Sequence, residues 1–199
     1  MNFAKTSDKR LRAALLAVLI FLVSVVNQSP QASTQTNQGL EMTVSIDAAA
    51  ESQSTLPKFK VELRNVGDHD LTLNLGTMLA NRRRQYPNAV VLTITDSQGK
   101  ARRFDLREPT YIAGRMDPLI VPLPVGSTFS VPVDLDKYWA ATSKEFEYKL
   151  ERGTYLLEAQ FSGKAVSQHQ ANLDVKGIAL LPFWMGSVTS NRLQFEVHK

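Results

Sequence analysis

The chain has 199 residues, a formal net charge of +4 and no cysteine, which excludes disulfides, thiolate nucleophiles and cysteine metal sites. Residues 1–33 hold Lys5, Lys9, Arg10 and Arg12 against Asp8, so +3 of the +4 sits there and about +1 is left for the body. A body this near neutral has no general field for nucleic acid, and no nucleic-acid partner is expected.

The first 12 residues are polar and cationic, and Ala13 to Val26 are apolar or small throughout. The polar exit N-Q-S-P-Q-A-S-T follows. This order spells a secretory signal, expected as a helix, with Ala32 or Ser33 as its last residue. The apolar run is shorter than the roughly 20 residues that span a bilayer as a helix. Residues 1–33 are therefore expected as a signal peptide, and a secreted or periplasmic location follows. The alternative is an uncleaved inner-membrane anchor over residues 13–26, the one segment expected to meet a membrane. Residues 34–39 form a polar lead-in, and 40–199 are expected as one domain.

From there the elements are predicted from alternation of apolar and polar residues. Leu40, Met42, Val44 and Ile46 mark a first strand. Phe59, Val61 and Leu63 alternate with Lys58, Lys60, Glu62 and Arg64 in the most regular strand of the chain. Asn65 to Asp70 reads as a turn, with Gly67 free to take positive φ. Leu71, Leu73 and Leu75 would then complete a hairpin over 58–75. Residues 76–89 are a long connection. Val90 to Thr95 and Ala101 to Leu106 flank the turn D-S-Q-G-K and make a second hairpin. Four prolines between Arg107 and Gly126 point to an extended crossover with an edge strand at Leu119 to Val121. Phe129 to Leu135 alternates, and Pro132 on its polar face marks an edge. Residues 136–149 are a short helix or a loop. Tyr155, Leu157, Ala159 and Phe161 make the central late strand, preceded by a turn at Gly153. A brief pairing at Leu173 to Val175 and a last strand at Leu193 to Val197 complete the count.

Seven or eight strands without an amphipathic helix predict an all-β fold, an immunoglobulin-like antiparallel β-sandwich. In such folds a tyrosine at the start of a late strand closes a corner through its hydroxyl, the structural role expected for Tyr155 beside Gly153.

Little in the chain points to catalysis. His69, His169 and His198 lie in a turn, a polar loop and the C-terminus, none beside a nucleophile elbow. Asp68-x-Asp70 and Asp134-x-Asp136 lack the spacing of a calcium loop. The methionines are too dispersed for a copper site. No enzyme, metal or cofactor is expected. A basic surface is the stronger signal. Arg82, Arg83 and Arg84 are contiguous, with Tyr86 close by, and Arg102, Arg103, Arg107 and Arg115 follow. At one end of a sandwich these would form a positive face for a protein or cell-envelope polymer, meeting an acidic partner, anionic lipid or a polysaccharide; otherwise they are a solvated surface beside Asp105, Glu108 and Asp117. Trp184, in P-F-W-M-G-S-V-T-S-N, either stacks on a sugar ring or plugs the end of the sandwich. Tyr138-Trp139 poses the same choice.

Four segments, F-K-V-E-L-R-N-V-G-D-H-D-L-T-L, V-V-L-T-I-T-D-S-Q-G-K-A-R-R-F, P-V-G-S-T-F-S-V-P-V-D-L and L-E-R-G-T-Y-L-L-E-A-Q-F, together resemble the BsuPI-type proteinase inhibitor domain. They also resemble related immunoglobulin-like modules of bacterial exported proteins. The resemblance covers about residues 58–163. It implies an immunoglobulin-like fold and protease inhibition, without assigning an inhibitory loop to any residue here.

The expected function is thus an exported, non-catalytic binding module that uses residues 76–89 and 107–126, with Arg82, Arg83, Arg84, Tyr86, Arg107, Arg115 and Trp184 as candidate contacts. The alternatives are a secreted protease inhibitor and a carbohydrate-binding module built on Trp184.

Overall fold

In the computed structural model the described residues are 38–48, 56–79, 84–106, 114–140, 150–167 and 176–198. The signal segment, Arg82, Arg83, Arg107 and the pairing expected at Leu173 to Val175 lie outside them. The described residues belong to one compact unit, Ser33–Lys199. None of their helices is long and apolar enough to cross a membrane.

Alternation produces strands here because successive side chains leave a strand on opposite faces. Phe59, Val61 and Leu63 are fully buried, and Arg64 between Leu63 and Asn65 is exposed. Among the described residues the strands are β1 (Leu40–Ile46), β2 (Phe59–Asn65), β3 (Leu71–Leu79), β4 (Gln85–Tyr86), β5 (Val90–Thr95), β6 (Ala101–Leu106), β7 (Met116–Leu123), β8 (Thr128–Val133), β9 (Tyr138–Trp139), β10 (Gly153–Ser162), β11 (Ser187–Thr189) and β12 (Leu193–Val197). A single helical turn, α1 (Lys176–Ala179), precedes β11. The short pieces β4, β9 and β11 were not legible as alternation, and β7 is longer than the edge strand expected at Leu119 to Val121.

All ladders between these strands are antiparallel. One sheet has the order β1-β2-β8, a second β4-β3-β7, and a third β11-β10-β5-β6-β9 with β12 also on β10. The buried sides of the three sheets share one hydrophobic cluster. Phe59 of the first sheet meets Phe195 of the third edge-on, with ring centroids 5.1 Å apart. Tyr155 stacks on the same Phe195 ring at 5.6 Å. Aromatic pairs in these geometries add stabilisation beyond the area they bury.

The hairpin expected over 58–75 does not form. β2 pairs with β1 and β8, and β3 pairs with β4 and β7. The segment between them carries the chain from one sheet to another, and the buried Asn65 holds that crossing. Its side-chain nitrogen donates to the carbonyls of His69 and Leu123, each at 2.9 Å, and its oxygen accepts the Gly67 amide at 3.0 Å. Gly67 is not at positive φ. It is close to Gly39 instead, where an added Cβ would lie 3.2 Å from the Gly39 Cα. The β5–β6 hairpin does form, and Asp96 accepts the amides of Gln98 and Lys100 in its turn.

Candidate functional site

Three strands at the margins of their sheets, β4, β8 and β9, border a groove of about 540 Å³. Tyr86 and Pro87, Phe129 to Pro132, and Leu106, Leu119 and Tyr138 line it. The size is that of a cleft for a small molecule or a few side chains. Its lining is mostly apolar, with Arg84, Asp134, Asp136 and Lys137 supplying charge.

Local structure explains how the walls are held. A bulge in β3 between Asn74 and Gly76 shifts the register against β7. Gly76 sits there at φ +136, and a Cβ on it would overlap the Asn88 side-chain oxygen and the Tyr86 carbonyl. Only a residue without a side chain lets β4 approach so closely. Thr77 then pairs with Tyr86 and Met78 with Gln85. The Leu79 amide donates to the Arg84 carbonyl at 3.0 Å, which brings Arg84 to the rim. On the facing side Pro132 lies in an edge strand, where its missing N–H does least harm to the ladder.

Tyr138 is the unusual member. It is 8 % exposed, and its hydroxyl has no hydrogen-bond partner among the described residues. Burial alone pushes its ionisation well above the ordinary tyrosine range. A buried hydroxyl left unpaired costs about 1–3 kcal/mol.

The other expected site residues are scattered. Arg115 lies at the Leu79 end of β3, because Leu79 pairs with the neighbouring Met116. It is held by Asp117 through two hydrogen bonds of 2.8 and 3.1 Å, and that carboxylate raises its already high pKa. Arg103 is bonded in the same manner to Asp105. Arg84 is exposed and stands at the groove. Trp184 is only 5 % exposed. It stacks on Phe161 with centroids 5.5 Å apart, and its indole N–H donates to the Gln38 carbonyl at 3.1 Å. An indole face packed in this way cannot serve as a platform for a sugar ring. It also sits far from Arg84: the Trp184 amide bonds Thr72, and from Thr72 to Leu79 along β3 is roughly 20 Å.

Tyr155 donates its hydroxyl to the Glu151 carbonyl at 3.0 Å, and Gly153 is already strand, opposite Val197. Asp70 accepts the Val125 amide, and Asp134 lies 3.5 Å from Lys137, so both acidic pairs are partly engaged in local structure. Among the described residues no three metal-ligating side chains gather. Sequence reasoning missed the apolar walls, Leu106, Leu119 and Phe129. The alternation marks them as buried or half-buried, but gives no sign that they leave a space between them.

No protein-family model matches the chain, and no curated protein is similar to it.

Proposed function

We propose that this chain is an exported, non-catalytic binding module of the immunoglobulin-like sandwich type that takes a macromolecular partner at the groove beside Arg84. The observation that carries the reading is one mostly apolar cleft that brings Arg84, Tyr86 and Tyr138 together with the carboxylates of Asp134 and Asp136. A partner side chain with an apolar body and a polar tip suits it: the walls take the body, and the charged groups of Arg84, Asp134, Asp136 and Lys137 take the tip.

The sheet orders support the sandwich reading. β1-β2-β8 has the order of strands A, B and E in an immunoglobulin-type fold, and β12 or β11, β10, β5 and β6 have the order G, F, C and C′. The bond from Tyr155 to Glu151 has the form of a tyrosine corner. On this reading β3, β4 and β7 are additions that build the groove.

The test is capture from envelope extracts on immobilised chain, wild type against a double variant, Arg84→Ser with Tyr86→Ala. Wild type is expected to retain a defined partner and the variant to lose most of it. Exposed Arg84 and half-buried Tyr86 should leave Tm nearly unchanged. Equal retention by both would remove the groove from the reading. A parallel titration into trypsin-like and subtilisin-like proteases addresses inhibition. Stoichiometric loss of protease activity with the chain intact would replace the binding-module reading by the inhibitor one.

A further inference from the structure

Three large apolar side chains stand in water close together: Leu180 is 85 % exposed, Met185 63 % and Leu181 41 %. Between them Phe183 and Trp184 are buried. Tight turns produce this division. The Leu181 amide bonds the Ile178 carbonyl at 3.1 Å, and the Phe183 amide bonds the Leu181 carbonyl at 2.9 Å. The chain then docks on β3, where Phe183 bridges to Thr72 and the Trp184 amide bonds the Thr72 carbonyl at 2.9 Å. Just beyond, the Gly186 carbonyl accepts the Gly163 amide at 2.8 Å. A Cβ on Gly163 would overlap the Trp184 carbonyl, and one on Gly186 would crowd the indole ring. The loop is therefore fastened to the domain at Phe183, Trp184 and Gly186, between its exposed tips and just beyond them, which limits the ordering left to be done on binding. Exposed Lys164 adjoins it.

The position of the loop indicates what covers it. Gln38 is the first described residue, and its carbonyl holds the Trp184 indole. The chain thus reaches the domain beside Leu180 to Met185. Residues 27–37 connect this point to the apolar run of Ala13 to Val26. Fully extended, such a linker spans at most roughly 40 Å. A bilayer that holds the run, during export or as a retained anchor, is within reach of the exposed leucines and methionine. The apolar tips suit insertion at a bilayer surface, and the charge of the neighbouring Lys164 favours anionic over neutral lipid.

We propose that Leu180, Leu181 and Met185 insert into the surface of an anionic phospholipid bilayer and hold the Trp184 end of the domain against it. The surface shares no residue with the groove and does not depend on it.

Because the chain has no cysteine, one can be introduced at a single chosen point and labelled with an environment-sensitive dye. Leu180→Cys and Met185→Cys report on the loop, and Gln98→Cys in the exposed β5–β6 turn is the control. The full chain is reconstituted into vesicles of phosphatidylglycerol and phosphatidylcholine. Dyes at 180 and 185 are expected to shift to the blue and to lose intensity several-fold to quenchers carried on the lipid, with the dye at 98 unaffected. Dyes at 180 and 185 as wet as the one at 98 would overturn the proposal. So would a blue shift that disappears when protein is diluted at constant lipid, since that assigns the loop to a second copy of the chain.

Discussion

Tyr138 shows how much one hydroxyl can reveal. Its ring is buried like a core residue, yet its oxygen meets neither donor nor acceptor among the described residues. A residue kept only for packing would lose nothing as phenylalanine. Tyr138→Phe is therefore expected to leave stability unchanged or raise it by about 1 kcal/mol in urea unfolding. The same variant should leave partner capture unchanged, and weakened capture would show that the hydroxyl becomes accessible on binding. The pH dependence has a definite sign. Below pH 10, the ordinary tyrosine value, neither the folded nor the unfolded chain ionises here. Above it the unfolded chain releases a proton that the folded chain retains, so stability falls as pH rises. The fall for this one group approaches about 1.4 kcal/mol per pH unit. Unfolding curves of wild type and Tyr138→Phe should therefore diverge above pH 10, with wild type the less stable. Superimposable curves would mean that the hydroxyl is solvated in the folded state.

At the scale of elements, β3 decides the shape of the candidate site. Its first residues alternate simply, but the bulge at Asn74 and Gly76 turns the following residues toward β4. Asn74 takes part, since its side-chain oxygen accepts the Gly76 amide and its nitrogen donates to the Ala165 carbonyl. Gly76→Ala puts a methyl group where the Tyr86 carbonyl stands and demands a φ that alanine avoids. The variant is expected to lose about 3 kcal/mol, a fall in Tm of roughly 5–10 °C. Amide exchange should rise first in β4. A variant as stable as wild type, with β4 protected, would show that the bulge is not what seats Tyr86. The edges of the first sheet are handled differently. On β1 the Asn191 side chain stands in for a neighbouring strand, accepting the Val44 amide at 2.8 Å and donating to the Val44 carbonyl at 3.1 Å. That arrangement denies the edge to another chain. On β8, Pro132 lies beside the groove and makes continuous addition of a partner strand unfavourable there. Side-chain insertion into the groove fits that edge better than strand addition.

For the whole molecule, the core draws on all three sheets, and its residues fall between Leu40 and Val197. A chain beginning at Ser33 contains all of it. Such a chain should unfold in one cooperative transition with a Tm within about 2 °C of the full-length protein. A second transition, or a markedly lower Tm, would show that residues 1–32 contribute to the fold. The two candidate surfaces are also separated at this scale. The loop of exposed leucines docks at Thr72, and the groove lies beside the Thr77–Leu79 half of β3.

The sequence by itself determined where most strands run, since period-2 burial is a local property of each segment. It was enough to mark β1, β2, β3, β5, β6, β8, β10 and β12, and to close the β5–β6 hairpin, whose turn is held by the side chain of Asp96. It also marked Arg84 and Tyr86 as candidates. Tertiary structure alone decided the rest, because each such feature depends on residues distant in the chain. β2 and β3 part into different sheets because Asn65 bonds Leu123, far along the chain. Trp184 is a plug and not a platform because Phe161 and Gln38 happen to meet it. The groove is lined by residues from four separate stretches of the chain, and no local pattern records a space. The unpaired hydroxyl of Tyr138 is the clearest case, since the lack of a partner is a property of its neighbours in space and not of its own segment.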